Sequence, residues 1–174
     1  EAVRLANLFV STGTIATLEG QKFPKQIFTA DPSKAVNTTA PLVVLVNHGT
    51  SGPAEVVAGA LQDDGRAQLV GEKTFGEGSM QKTFDLPDGG AIILSIAKYA
   101  SPSGKQFEDD AVTPGTIVAL NKDLFLDDDS SDEATAPASP DAPSPQLDKP
   151  IKKTPPPTDD QLNKALDMLK AKAA

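Results

Sequence analysis

The sequence predicts an α/β domain, and three stretches carry that prediction. Residues 42–46 (LVVLV) form a continuous aliphatic and β-branched run, the pattern of a strand covered on both faces of a parallel or mixed sheet. A helix follows. Gly52 is an acceptable N-cap, Pro53 suits the first helical position, and Glu55 falls near the positive end of the helix dipole. Val56, Val57, Ala60 and Leu61 then supply one apolar face. The third stretch is a hairpin, with strands over 81–86 and 91–97 joined by Pro87-Asp88-Gly89-Gly90.

The remaining elements follow in order. Ala2, Leu5, Ala6 and Phe9 sit at helical spacing in residues 2–10, with Gly13 as the stop signal. Residues 14–18 and 26–30 read as short strands around a turn region from Gly20 to Pro24. A strand is expected over 67–70, and a further extended stretch ends near 118–120. From Asp127 the composition changes to acidic residues, then Ser, Ala and many prolines, finishing in Pro155-Pro156-Pro157. Such a segment buries too little apolar surface to offset its ordering entropy, so 127–157 is expected to be a disordered or extended linker. Thr158 then offers an N-cap, and Leu162, Ala165, Leu166 and Leu169 form a helical stripe. The expected organisation is a core over 1–126, the linker, and an amphipathic helix over 158–174.

A chain of 174 residues suffices for one domain with a sizeable core. With 5% aromatics and no Trp, that core must be built from Val, Ile, Leu and Ala. A net charge of −8 argues against nucleic-acid binding, which needs a surplus of Lys and Arg. The absence of cysteine removes disulfides, thiolate metal sites and a thiol nucleophile. No cofactor or metal is expected. Asp127, Asp128 and Asp129 with Asp132 and Glu133 lack the glycine and terminal glutamate of a calcium loop and read as a solvated run. No apolar run approaches the roughly 18–20 residues of a spanning helix. The chain opens on Glu1 without an initiator Met and is read as a fragment, so that any signal or membrane anchor lies upstream.

One family accounts for many positions in order. The pieces are residues 42–47 (LVVLVN), 54–63 (AEVVAGALQD), Arg66-Ala67, Val70-Gly71-Glu72, Thr74-Phe75-Gly76, Gly78 with Gln81, Tyr99, Ser101-Pro102-Ser103-Gly104 and Pro114. Together they closely resemble the carboxyl-terminal processing (tail-specific) protease family. Asp160-Gln161-Leu162 with Lys164-Ala165-Leu166 resembles that family's closing helix. The resemblance implies a crotonase-like core with a mixed sheet, a PDZ domain upstream, and serine endopeptidase activity on the C-terminal tails of exported proteins. It also implies an extracytoplasmic or periplasmic location. Peptide or protein tails are the implied partners; the oligomeric state is left open.

The same resemblance assigns the chemistry. Family members use a serine activated by a neutral lysine, with a glutamine orienting the base. Counting back from Glu55 places the nucleophile position at Gly52, which has no hydroxyl. The lysine position reads Glu77, a group of opposite charge, and the glutamine is present as Gln81. The residue after the nucleophile, whose N–H serves the oxyanion, is Pro53, which has none. These three departures point to a pseudoprotease that binds peptide or partner protein without cutting it. The alternative is an active, divergent serine peptidase using Ser51 as nucleophile, with Gly52 N–H as oxyanion donor and Lys73 as displaced base; Thr50 is a weaker candidate. A purely structural domain with a filled groove is a third reading. His48, the sole histidine, reads as a loop residue lining the pocket, and Glu77 as a surface partner of Lys73 or Lys82.

Overall fold

The computed structural model describes residues 1–121 and 158–173. Its elements are α1 (Ala2–Asn7), β1 (Thr14–Gly20), β2 (Phe23–Thr29), a 3-10 turn (Pro32–Lys34), β3 (Val43–Val46), α2 (Pro53–Asp63), β4 (Gln68–Gly71), β5 (Ser79–Asp85), β6 (Ala91–Ala100), α3 (Phe107–Asp110), β7 (Thr116–Ile117) and α4 (Asp160–Ala173). The strands form two sheets, an antiparallel one ordered β2-β1-β6-β5 and a parallel one ordered β3-β4-β7. The first 120 residues and α4 make one compact unit; the second, Asn121–Asp159, lies almost wholly outside the described residues, as does the expected linker.

Strand β3, helix α2 and strand β4 form the βαβ unit on which the rest is arranged, in the parallel register Val43↔Gln68 to Val46↔Gly71. Val44 and Val46 face the core with Val56, Leu61 and Leu69. The expectation that this strand is covered on both faces needs correction, because Leu45 is 43% exposed. The parallel sheet is only three strands wide, and α4 packs on part of its second face, against β3 and β4. At the end of β4 the two backbones meet closely. A Cβ on Gly71 would lie 1.9 Å from Val46 O, so only glycine fits there.

Helix α1 is shorter than its apolar spacing suggests. It ends at Asn7 because that buried side chain turns to the neighbouring backbone: Nδ2 donates to Val10 O and Asp31 O, and Oδ1 accepts from Asp31 N. Asn7→Ala strands those groups. The expected cost is about 2 kcal/mol, a fall of roughly 4–8 °C in melting temperature, read by thermal circular dichroism.

Helix α4 is present, but rotated from the predicted stripe. Gln161 and Ala165 are buried, whereas Leu162 and Leu166 are 44% and 42% exposed. Gln161 Nε2 donates to Val118 O at 2.8 Å, which fixes the rotation, and Ala165 one turn later is small enough for close approach to the sheet.

Helix α3 has no counterpart in the sequence reading. Its FEDD sequence looks polar, yet Phe107 is among the largest fully buried side chains. The ring fits because Gly59 leaves it room, and Gly78 makes way for the Phe107 Cβ; a Cβ on either glycine would fall within 2.6 Å of Phe107. From β6, Lys98 pairs with Glu108 and Asp109, whose hydrogen bonds hold its ammonium above the usual lysine range. The hairpin β5–β6 forms as predicted. Beyond the short stretch where β1 pairs with β6, it continues as a two-stranded ribbon with Phe84, Ile92 and Leu94 exposed.

Candidate functional site

The corner between β3 and α2 is set by local hydrogen bonds. Thr50 N donates to Asn47 O, Asn47 N to Thr50 Oγ1, and Gly49 N to Asn47 Oδ1. These bonds wind residues 47–50 into a tight turn that delivers the chain to Gly52. There the backbone takes φ 54°, ψ −119°, a conformation that glycine adopts freely and other residues adopt only with strain. Pro53 then opens the helix.

Glu55 joins this corner to the loop after β4. Its side chain is 0% exposed, and its carboxylate accepts four hydrogen bonds. Oε2 takes the N–H of Gly52 at 3.1 Å and of Glu77 at 2.8 Å; Oε1 takes the N–H of Gly76 at 2.8 Å and the hydroxyl of Thr74. Thr74 Oγ1 in turn accepts from Val112 N at 2.8 Å, and Phe75 N donates to Thr50 O at 2.9 Å. A buried carboxylate is tolerable only with such a complete set of donors. Its position also answers the positive end of the α2 dipole. The sequence reading gave Glu55 the dipole role alone. A Glu at the third helical position, after Gly-Pro, signals a bond back to the N-cap amide; the partners in the 74–77 loop are visible only in three dimensions.

Gly52 and Glu77 meet across a pocket of about 430 Å³. Pro53 and Val56 of α2, Ser79 and Met80 of β5, Phe28 of β2, Tyr99 of β6 and the first residues of α1 complete the lining. A Cβ at Gly52 would have Glu77 O as its nearest neighbour, 3.6 Å away. The Glu77 side chain is exposed and makes no hydrogen bond or ion pair among the described residues. The expected pairing with Lys73 or Lys82 is not formed; Lys82 Nζ instead sits 5.3 Å from the centroid of the Phe84 ring.

The other candidates are placed apart from this lining. Gln81 is exposed on β5 opposite Ser95 and does not reach the pocket. A register irregularity between Met80 and Gln81 explains why: an irregular strand re-aims its side chains, and here Ser79 and Met80 both face the cavity. Lys73 is exposed in the loop and His48 is exposed against Phe75, ring centroids 5.5 Å apart; neither lines the pocket. Ser51 is half-buried beside the corner, and its Oγ has no lysine partner among the described residues. Backbone donors are scarce here. The amides of Gly52, Gly76 and Glu77 are given to Glu55, that of Phe75 to Thr50 O and that of Ala54 to Ser51 O. Thus the Gly52 N–H that a Ser51 nucleophile would need is already engaged.

The two sheets, the strand–turn–helix corner and the facing glycine loop make up a ClpP/crotonase-like core. The chain belongs to peptidase family S41, whose model it matches over residues 1–118. It is 41% identical over 116 residues to the carboxyl-terminal-processing protease of Synechocystis sp. (strain ATCC 27184 / PCC 6803 / Kazusa), covering 67% of this chain and 27% of that one. It is 36% identical over 114 residues to the chloroplastic carboxyl-terminal-processing peptidase 2 of Arabidopsis thaliana, covering 66% and 22%. Among solved structures, a photosystem II D1 C-terminal processing protease superposes with a TM-score of 0.63 at 35% identity, covering 71% of this chain and 33% of that one. The chain therefore spans about a quarter of the length of the curated relatives it matches.

Proposed function

We propose that this chain carries the C-terminal part of a carboxyl-terminal processing protease core that holds peptide or protein tails without hydrolysing them. One observation carries the reading: the residues facing each other across the pocket are Gly52 and Glu77, which offer neither a hydroxyl nor an amine. Pro53 removes a further donor at the same corner, and Glu55 occupies the amides on either side. Acyl transfer needs a nucleophile, a base and free donors for the developing oxyanion, and each is wanting here. The groove itself persists, because Glu55 and the 47–50 turn keep its walls in place. The relatives are chloroplastic or bacterial processing proteases, and a location outside the cytoplasm is part of this proposal.

The test is direct. The full chain is incubated with a fluorophosphonate probe and, separately, with fluorogenic peptides ending in free carboxylates. The expected outcome is no covalent adduct by mass spectrometry and no hydrolysis, with peptide binding still measurable. An adduct on Ser51 that disappears in Ser51→Ala would overturn the reading.

A further inference from the structure

We infer that the pocket between Gly52 and Glu77 receives a basic side chain, lysine or arginine, from an extended peptide. This inference rests on the binding reading above and specifies what the groove selects. Its first support is charge. Glu77 stands at the pocket with no partner among the described residues, and no lysine, arginine or histidine lines the cavity. The other carboxylate in the lining, Glu1, is already engaged by Arg4 at 3.1 Å. A cation entering the pocket therefore meets one uncompensated carboxylate and no basic side chain in the lining.

The second support is shape. Val56, Met80 and Tyr99 give the pocket an apolar wall, which suits the aliphatic stem of a lysine or arginine whose charged head stays at the rim. The Phe28 and Tyr99 rings, 6.5 Å apart, add aromatic surface that favours a cation over an anion. The volume of about 430 Å³ lies in the range that holds a side chain or small ligand. With glycine at position 52, the space next to Glu77 is open to the incoming group. One effect opposes the inference, since the N-terminus of α2 would repel a cation. Glu55, buried in the first turn, already answers that dipole.

The experiment uses the full chain and four fluorescein-labelled nonapeptides of alternating alanine and serine, with lysine, arginine, norleucine or glutamate at the centre. Norleucine keeps the aliphatic stem and removes the charge. Binding is read by fluorescence anisotropy at fixed salt. The lysine and arginine peptides should bind about fivefold more tightly than the norleucine peptide, and the glutamate peptide most weakly. In Glu77→Gln the lysine preference should fall to within about twofold, and Glu77→Lys should favour the glutamate peptide. Asp64→Asn, an equal change of charge at the far end of α2, roughly 16 Å away, should retain the preference. Equal binding of lysine and norleucine peptides by the unaltered chain would overturn the inference while leaving the groove a peptide site. Loss of preference in Asp64→Asn as large as in Glu77→Gln would overturn it too, exposing general attraction to a chain of net charge −8. No binding of any of the four would remove the binding reading itself.

Discussion

Glu55→Ala is expected to lower the melting temperature by roughly 8–16 °C, a loss of about 4 kcal/mol. The substitution leaves three backbone N–H groups and the Thr74 hydroxyl without their acceptor. Each unsatisfied buried group costs about 1–3 kcal/mol, so a simple sum would run higher. Water entering from the adjoining pocket recovers part of that sum, which is why the expectation sits near its lower end. Glu55→Gln should cost less than the alanine, because one carbonyl oxygen still accepts while the new NH₂ faces donors. Peptide binding should weaken in both variants, since the corner and the 74–77 loop lose their common tie. Thermal melts followed by circular dichroism decide the matter. A fall of less than about 2 °C for Glu55→Ala would show that the four bonds do not hold the corner.

The second expectation concerns the chemistry itself. Gly52→Ser, Pro53→Ala and Glu77→Lys made together should produce fluorophosphonate labelling at position 52, where the unaltered chain is expected to show none. The geometry allows it: side chains at 52 and 77 start from facing backbone, with only 3.6 Å between a Cβ at 52 and Glu77 O. Pro53→Ala restores an N–H beside the nucleophile, and one such donor is worth about 10²–10³ in rate. None of the single substitutions should label measurably, because nucleophile, base and donor act as a unit and their effects do not add. The serine would also sit at φ 54°, a strain of about 1–3 kcal/mol, so the triple variant should melt a few degrees lower. If it folds and still reacts no faster than the unaltered chain, positions 52 and 77 are not the reacting pair.

Much of this framework was readable from residues alone. Gly52, Pro53 and Glu55 announced the helix start, the β-branched run before them announced a strand, and Pro87 to Gly90 announced the hairpin. Each of those signals is local, arising from backbone preference within a few residues. What was not legible depends on partners distant in sequence. Asn7 ends α1 by bonding to Asp31, and Gln161 sets the rotation of α4 by bonding to Val118. Phe107 is buried because Gly59 leaves space for its ring and Gly78 for its Cβ. At the site, the pairing of Gly52 with Glu77 followed from the family resemblance. The outward placement of Gln81 did not, because a register irregularity in a strand leaves no mark in composition.

The bonds to Glu55 have a consequence for descent. Three of the four come from main-chain amides, and none comes from a side chain at position 52 or 77. These four bonds thus form whatever side chains the corner displays, and only the positive φ of Gly52 sets a cost, about 1–3 kcal/mol for a residue other than glycine. A lineage carrying such a corner can exchange those residues one at a time without crossing the threshold below which the protein no longer folds. Inactivation in such a lineage needs no compensating change elsewhere, and the groove left behind is free to be selected for whatever it holds.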